Sequence, residues 1–176
     1  MEINIKTFGP STNLEMLLKG LSESQKFLVN DGLDYKKIID EDRFNKNSVF
    51  LSVLIRTQGK RRETLKETLL SLYAQTNRDF EIILLAHKVE KECIREIEEV
   101  LALQPAKFRE KIRLIRVSYG ERGAPLNAGW AYARGRYVSI LDDDDVVFAH
   151  WIEEFSALAK KNSSCVFSYS VMVKNE

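Results

Sequence analysis

From residue 49 onward the chain alternates short β-branched apolar runs with longer stretches of helical period. That alternation constrains the fold more than any other feature, because it is how βαβ units around a parallel sheet are written in sequence. The span 49 to 55 reads as a first strand. Leu65, Leu69, Leu72 and Tyr73 then share one face of a helix at 3.6-residue spacing. A second strand is expected over 80 to 85, a helix carrying Ile94, Ile97 and Leu101 follows, and 112 to 117 is a third strand. Gly123-Ala124-Pro125 opens another helix, since proline suits the first turn. Its expected buried face is Leu126, Trp130 and Ala133, with Gly135 ending it after Arg134. The span 137 to 141 is a fourth strand, apolar enough to be buried on both faces, and runs into Asp142-Asp143-Asp144-Asp145. A further helix bears Trp151, Ile152, Phe155 and Leu158, and 165 to 173 reads as a last strand.

The first 48 residues lack this rhythm. Ser11 or Thr12 can cap a short helix bearing Leu14, Leu17, Leu18 and Leu21, and Asn30-Asp31-Gly32 follows as a turn. The expected organisation is therefore a helical appendage over 1 to 48 and one α/β domain over 49 to 176. A chain of 176 residues suffices for such a core.

Composition narrows the function classes. A formal charge of +1 gives no broad electrostatic footprint for nucleic acid. No apolar run approaches the roughly 18 residues that span a bilayer, while peripheral contact with a membrane surface stays compatible with the composition. The start Met1-Glu2-Ile3-Asn4-Ile5-Lys6 lacks the basic and apolar segments of an export signal, so a cytoplasmic location is expected. Cys93 and Cys165 are remote from each other and from any histidine pair, and read as core thiols.

The acidic run carries the chemistry. Adjacent carboxylates repel by about 1 kcal/mol per pair even in water, so something should offset the cost. A solvated turn whose Asp145 caps the next helix is the plain alternative. Against it stands position, since ligands in open α/β sheets bind beyond the carboxyl ends of the strands. On an extended backbone Asp142 and Asp144 would converge, and such hard oxygens suit Mg²⁺ or Mn²⁺ shared with a substrate's phosphates.

Four blocks resemble the family-two glycosyltransferases of GT-A fold, over roughly 49 to 173. They are Leu51-Ser52-Val53-Leu54-Ile55-Arg56-Thr57; Leu65 to Gln75-Thr76 with Phe80-Glu81-Ile82-Ile83; Pro125-Leu126-Asn127-Ala128-Gly129 with Ala133 to Val138; and Leu141 to Asp145. The resemblance implies a Rossmann-like, mostly parallel sheet between helices that binds a nucleotide-diphosphate sugar, with UDP-sugar the expected donor. It implies inverting, metal-dependent transfer to a polysaccharide, lipid or protein acceptor, as in cell-wall or surface polysaccharide synthesis. By that resemblance Asp142-Asp143-Asp144 stands as the Asp-x-Asp motif: Asp142 and Asp143 bind the nucleotide sugar, and Asp144, with Asp142, holds the metal. Thr57 and Asn127 fall in matched blocks as donor-binding candidates. The acceptor-binding half and its general base are expected beyond Glu176.

Departures from the pattern add two further candidates. Ala86-His87-Lys88 replaces an acidic pair that would bind base or ribose, so His87 is either a ligand contact or a loop histidine. Leu126-Asn127 replaces Arg-Asn, and Arg122, in the loop entering a helix N-terminus, is either the substitute cation or a surface arginine. Arg56 and Gln58 stand in place of proline and tyrosine. Lys60-Arg61-Arg62 reads as a solvated face, Trp130 and Trp151 as core, and His150 as a helix-surface residue. A non-catalytic nucleotide-sugar-binding or assembly module is the alternative function. A receiver domain is disfavoured because the first strand ends in Arg56-Thr57-Gln58, and a dinucleotide-binding domain because no Gly-x-Gly-x-x-Gly follows it.

Overall fold

The computed structural model describes residues 49–161. Four strands, β1 (Leu51–Thr57), β2 (Phe80–His87), β3 (Ile112–Val117) and β4 (Tyr137–Asp142), form one sheet in the order β3-β2-β1-β4. Every adjacent pair is parallel. Helices α1 (Arg62–Tyr73), α2 (Lys91–Ala102), α3 (Ala106–Arg109), α4 (Ala124–Tyr132) and α5 (Trp151–Lys161) connect or follow them. The expected α/β class is the one observed. The appendage helix and the strand over 165 to 173 lie outside the described residues.

Strand alternation sorts the apolar side chains into two cores. Leu51, Val53 and Ile55 of β1 join Phe80, Ile82, Leu84 and Ala86 of β2 on one face. Leu65, Leu69 and Leu72 of α1, Ile94, Ile97 and Val100 of α2, Phe108 of α3 and Ile152 of α5 cover them. On the other face Leu54, Ile83 and Leu85 meet Leu126 of α4 and Ala133 just after it. β1 and β2 are thus central and sandwiched, which explains their near-continuous apolar sequence.

Several elements differ from expectation for identifiable reasons. β1 runs two residues later than its apolar pattern, because Arg56 and Thr57 still pair with Leu85 and Ala86. β4 lies at the edge of the described sheet, so it is not buried on both faces: Ile140 is 58% exposed. The single turn α3 has too few residues to show a period, although Phe108 within it is buried. α4 turns Pro125, Ala128 and Gly129 to the sheet, leaving Trp130 54% exposed and outside the core. Trp130 is rotated by about 100° past Gly129, whereas Leu126 stays half-buried against the second core. The small line wins because α4 approaches closely: a Cβ on Gly129 would lie 2.8 Å from Leu85 Cδ1. α4 also ends before Gly135, with Ala133 already extended, and Gly135 N instead donates to Ser52 Oγ at 2.8 Å.

Glu81 joins the layers. It is 1% exposed and accepts from Ser52 Oγ (2.7 Å), Arg134 N (2.7 Å), Arg134 Nε (2.8 Å) and Arg113 Nη2 (3.1 Å). This buried carboxylate fastens β1, β3 and the entry to β4 onto β2, and the number of its donors offsets its desolvation.

Candidate functional site

The acidic run emerges where β4 leaves the sheet, beside the carboxyl end of β1. Asp142 is the last ladder residue, in register with Arg56, and their side chains approach to 3.8 Å. The backbone then turns: Asp145 N donates to Asp142 O at 3.2 Å, and Asp142 N donates to Asp145 Oδ2 at 3.3 Å. Asp145 therefore closes this turn and does not cap α5, which starts at Trp151. Because Asp143 and Asp144 lie in the turn, the extended-chain argument for convergence of Asp142 and Asp144 fails.

Each of the first three carboxylates instead finds its own partner from β1 or the β1–α1 loop, Arg56 facing Asp142 as an ion pair and the other two accepting hydrogen bonds. Thr57 Oγ1 donates to Asp143 Oδ2 at 2.5 Å, while Gly59 N donates to Thr57 Oγ1 at 3.0 Å. Gly59 adopts φ +72°, a left-handed conformation that glycine reaches without strain, and this bends the loop back over Thr57. Arg61 donates from its guanidinium to Asp144. Thr57 is buried and Asp143 half-buried, whereas Asp142 and Asp144 keep 57% and 41% of their side chains exposed. Two carboxylates at the rim thus remain open to a ligand.

The backbone after the turn is pinned from below. Gln75, buried at the end of α1, donates to Phe148 O (2.8 Å) and accepts from Ile152 N (3.1 Å). Ser71 Oγ accepts from Val147 N at 3.2 Å, and Thr76 N donates to Ala149 O at 2.7 Å. His150 sits in this segment ahead of α5, stacked on Phe148 with ring centroids 6.0 Å apart, and is not a helix-surface residue.

A second loop, residues 118 to 123, borders the same end of the sheet. Buried His87 directs Nε2 at Tyr119 O and Gly120 O, both at 3.2 Å. Carbonyls only accept, so Nε2 is the donating nitrogen. Arg56 Nη1 reaches Arg122 O at 3.5 Å, coupling this loop to Asp142. The Arg122 and Asn127 residues are exposed at the start of α4, and Asn127 makes no side-chain hydrogen bond to a described residue. The structure therefore gathers Thr57, Asp142, Asp143 and Asp144, and ties Arg122 and His87 in through the loop backbone. Asn127 stands apart.

Sequence reasoning passed over Arg56, Arg61 and Gln75. Arg61 reads in sequence as part of a solvated face, yet it lies in a loop at the carboxyl end of β1, where ligand-site residues collect in such sheets. That location was the available signal.

As a metal site the rim has a definite character. Among the described residues no group of three or more His, Cys, Asp and Glu converges. The exposed carboxylates Asp142 and Asp144 fit an ion that takes most of its ligands from water and phosphate.

An open parallel sheet with an acidic rim beyond its strand ends defines the class, α/β proteins that take their ligand at that edge. The chain belongs to the family described as Glycosyl transferase family 2, whose sequence model matches residues 52–176. An uncharacterized glycosyltransferase of Methanocaldococcus jannaschii is 29% identical over 104 residues, 59% of this chain and 35% of that protein. A crystal structure of S. aureus TarS superposes with a TM-score of 0.54 at 21% identity, over 65% of this chain and 33% of that one. The TarS complex with UDP-GlcNAc gives 0.55 at 19% identity, over 65% and 32%. These structures share the GT-A fold with the chain, which spans about a third of the length of the relatives it matches.

Proposed function

We propose that this chain provides the nucleotide-sugar-binding part of an inverting, metal-dependent glycosyltransferase. The observation that carries the reading is the junction of β1 and β4, where Thr57, Arg56 and Arg61 hold three successive aspartates at the sheet's rim. Family membership supports transfer chemistry, and a UDP-sugar donor is favoured because TarS, of the same fold, was crystallised with UDP-GlcNAc. The acceptor is a polysaccharide, lipid or protein, and the setting is the cytoplasm; among the described residues no helix is long and apolar enough to cross a membrane.

In this reading Asp144, with Asp142, would hold a Mg²⁺ or Mn²⁺ ion shared with the donor's diphosphate. Such an ion supplies Lewis acidity that offsets charge on the departing nucleoside diphosphate. Thr57 keeps Asp143 turned inward, fixing the turn before ligand arrives and sparing reorganisation on binding. Arg61 pairs with Asp144 in the free protein and would be released toward the donor's phosphates if that carboxylate held the ion. Arg122, beside the N-terminus of α4, adds positive potential where the diphosphate would lie. His87 acts by holding the loop that carries Arg122, and Asn127 offers a polar group on the first turn of α4.

A crystal grown with UDP and Mn²⁺ tests this reading. An anomalous manganese peak beside Asp144 and bridged to the diphosphate is expected; UDP lodged elsewhere, or no metal at Asp144, contradicts it. A non-catalytic binding module is the second reading, favoured by Ala86-His87-Lys88 at the end of β2, where no carboxylate is present for base or ribose. UDP binding with no consumption of UDP-sugar by any acceptor preparation would favour it.

A further inference from the structure

Helices α1 and α2 pack on the same face of the sheet, and Arg62 at the start of α1 pairs with Glu99 of α2 at 2.8 Å. That pair marks the line on each helix that faces the other. Followed toward the helix ends in steps of three or four residues, those lines reach Leu70 and Tyr73 on α1 and Leu103, the C-cap residue of α2. All three border one groove, yet they are 63%, 39% and 70% exposed. Tyr73 meets Phe108 edge to face with ring centroids 5.3 Å apart, which brings α3 against the end of α1.

Cations collect around these apolar side chains because the strands are parallel. All four strands start at one end of the sheet, so the segments leading into β2 and β3 meet there. The first carries Arg78, and the second carries Lys107, Arg109 and Lys111. Arg78 lies over the Tyr73 ring at 5.3 Å, and Lys111 Nζ donates to Arg78 O at 2.8 Å. Lys107 and Arg109 flank buried Phe108 in α3 and are exposed. None of the four has a carboxylate partner among the described residues, although Asp79 and Glu110 stand in the same turns. In a chain of net charge +1 this group is a local feature and not a consequence of overall basicity.

We propose that this surface docks on an anionic lipid bilayer, with Leu70, Tyr73 and Leu103 entering the headgroup layer and the four cations meeting lipid phosphates. Large apolar side chains bordered by lysine and arginine are how interfacial membrane-binding faces are composed, and each cation gains from the negative potential of the leaflet. The apolar members decide between partners. A soluble polyanion would satisfy the cations but leave the three large side chains in water. The surface lies at the amino ends of the strands and the acidic rim at their carboxyl ends, about 23 Å away along the seven residues of β1. Docking therefore turns the four aspartates away from the lipid and leaves the rim open to solution, so the inference does not depend on the donor or the divalent ion.

The test is sedimentation of the full chain with vesicles of phosphatidylcholine, alone or mixed with phosphatidylglycerol, at several salt concentrations. Binding to the mixed vesicles is expected, weakening as salt screens the cations, with little binding to phosphatidylcholine alone. The double variant Lys107→Gln, Arg109→Gln, with both positions exposed and folding checked by melting, should bind the mixed vesicles at least about tenfold more weakly. Leu103→Ser, at an equally open position, should lose several-fold in affinity for the same vesicles. No binding to mixed vesicles, equal binding to both kinds, or unchanged affinity in the double variant would each overturn the proposal. Full vesicle affinity in Leu103→Ser would overturn it too, since that is the behaviour of a site for a soluble polyanion.

Discussion

Glu81 is charged inside the sheet, and its environment makes it a reporter of acid stability. Burial pushes its carboxyl up, but the Ser52 hydroxyl, the Arg134 backbone N–H and guanidinium, and Arg113 outweigh it and hold it below the ordinary value of 4.5. A group depressed in the folded state stabilises fully above its unfolded value, and that contribution disappears as pH falls through the folded value. Urea melts from neutral pH down should therefore lose stability below about pH 4.5, and Glu81→Gln should flatten that slope. At neutral pH the same change should cost about 1–3 kcal/mol, since Ser52, Arg113 and Arg134 lose their charged acceptor while the two arginines keep access to water. Thr57→Val should cost about 1–3 kcal/mol by removing the hydroxyl that donates to the Asp143 carboxylate, measured by the same melts. The acidic rim was legible in sequence because four aspartates ending an apolar strand are a local pattern. Arg56 and Arg61 were not, because their significance depends on which loops meet at the sheet's end. Asp142 and Asp144 were placed together by strand periodicity, which stops at the turn that Asp145 closes.

At the level of elements, the acidic turn depends on how α1 grips the segment before α5. Gln75→Leu would leave Phe148 O and Ile152 N without their partner, at about 1–3 kcal/mol for each buried group. It should also loosen the backbone beyond the rim, seen as faster amide exchange over 146 to 152 with α2 and β3 unchanged. α4 tests packing on the opposite face. Gly129→Val would press against Leu85 and Leu54 and should cost about 1–3 kcal/mol in thermal melts, while Trp130→Ala, outside the core, should change stability little. The strands and the longer helices were readable because period and β-branched runs are strong over six or more residues. The facing of α4 was legible in part: Leu126 and Ala133 of the apolar stripe do pack on the second core, but Trp130 does not, because the glycine at 129 permits a closer approach than any large side chain allows. Short α3 offered no period, and β4 read as buried because apolar sequence does not reveal which strand lies at an edge.

For the molecule as a whole, the parallel order β3-β2-β1-β4 places the ends of β1 and β4 side by side, bringing residues more than 80 positions apart into one rim. Fold and family were accessible from the sequence, since strand alternation and the four matched blocks point to the same architecture. The function proposed for that architecture rests on a divalent ion joining the rim to a diphosphate, and calorimetry addresses it most directly. UDP should bind the full chain with Mn²⁺ present and far more weakly with a chelator, and Asp144→Ala should abolish the metal-dependent part while keeping the melting temperature at or above that of the parent. Equal affinity for UDP with and without the metal, or in the parent and Asp144→Ala, would contradict the account.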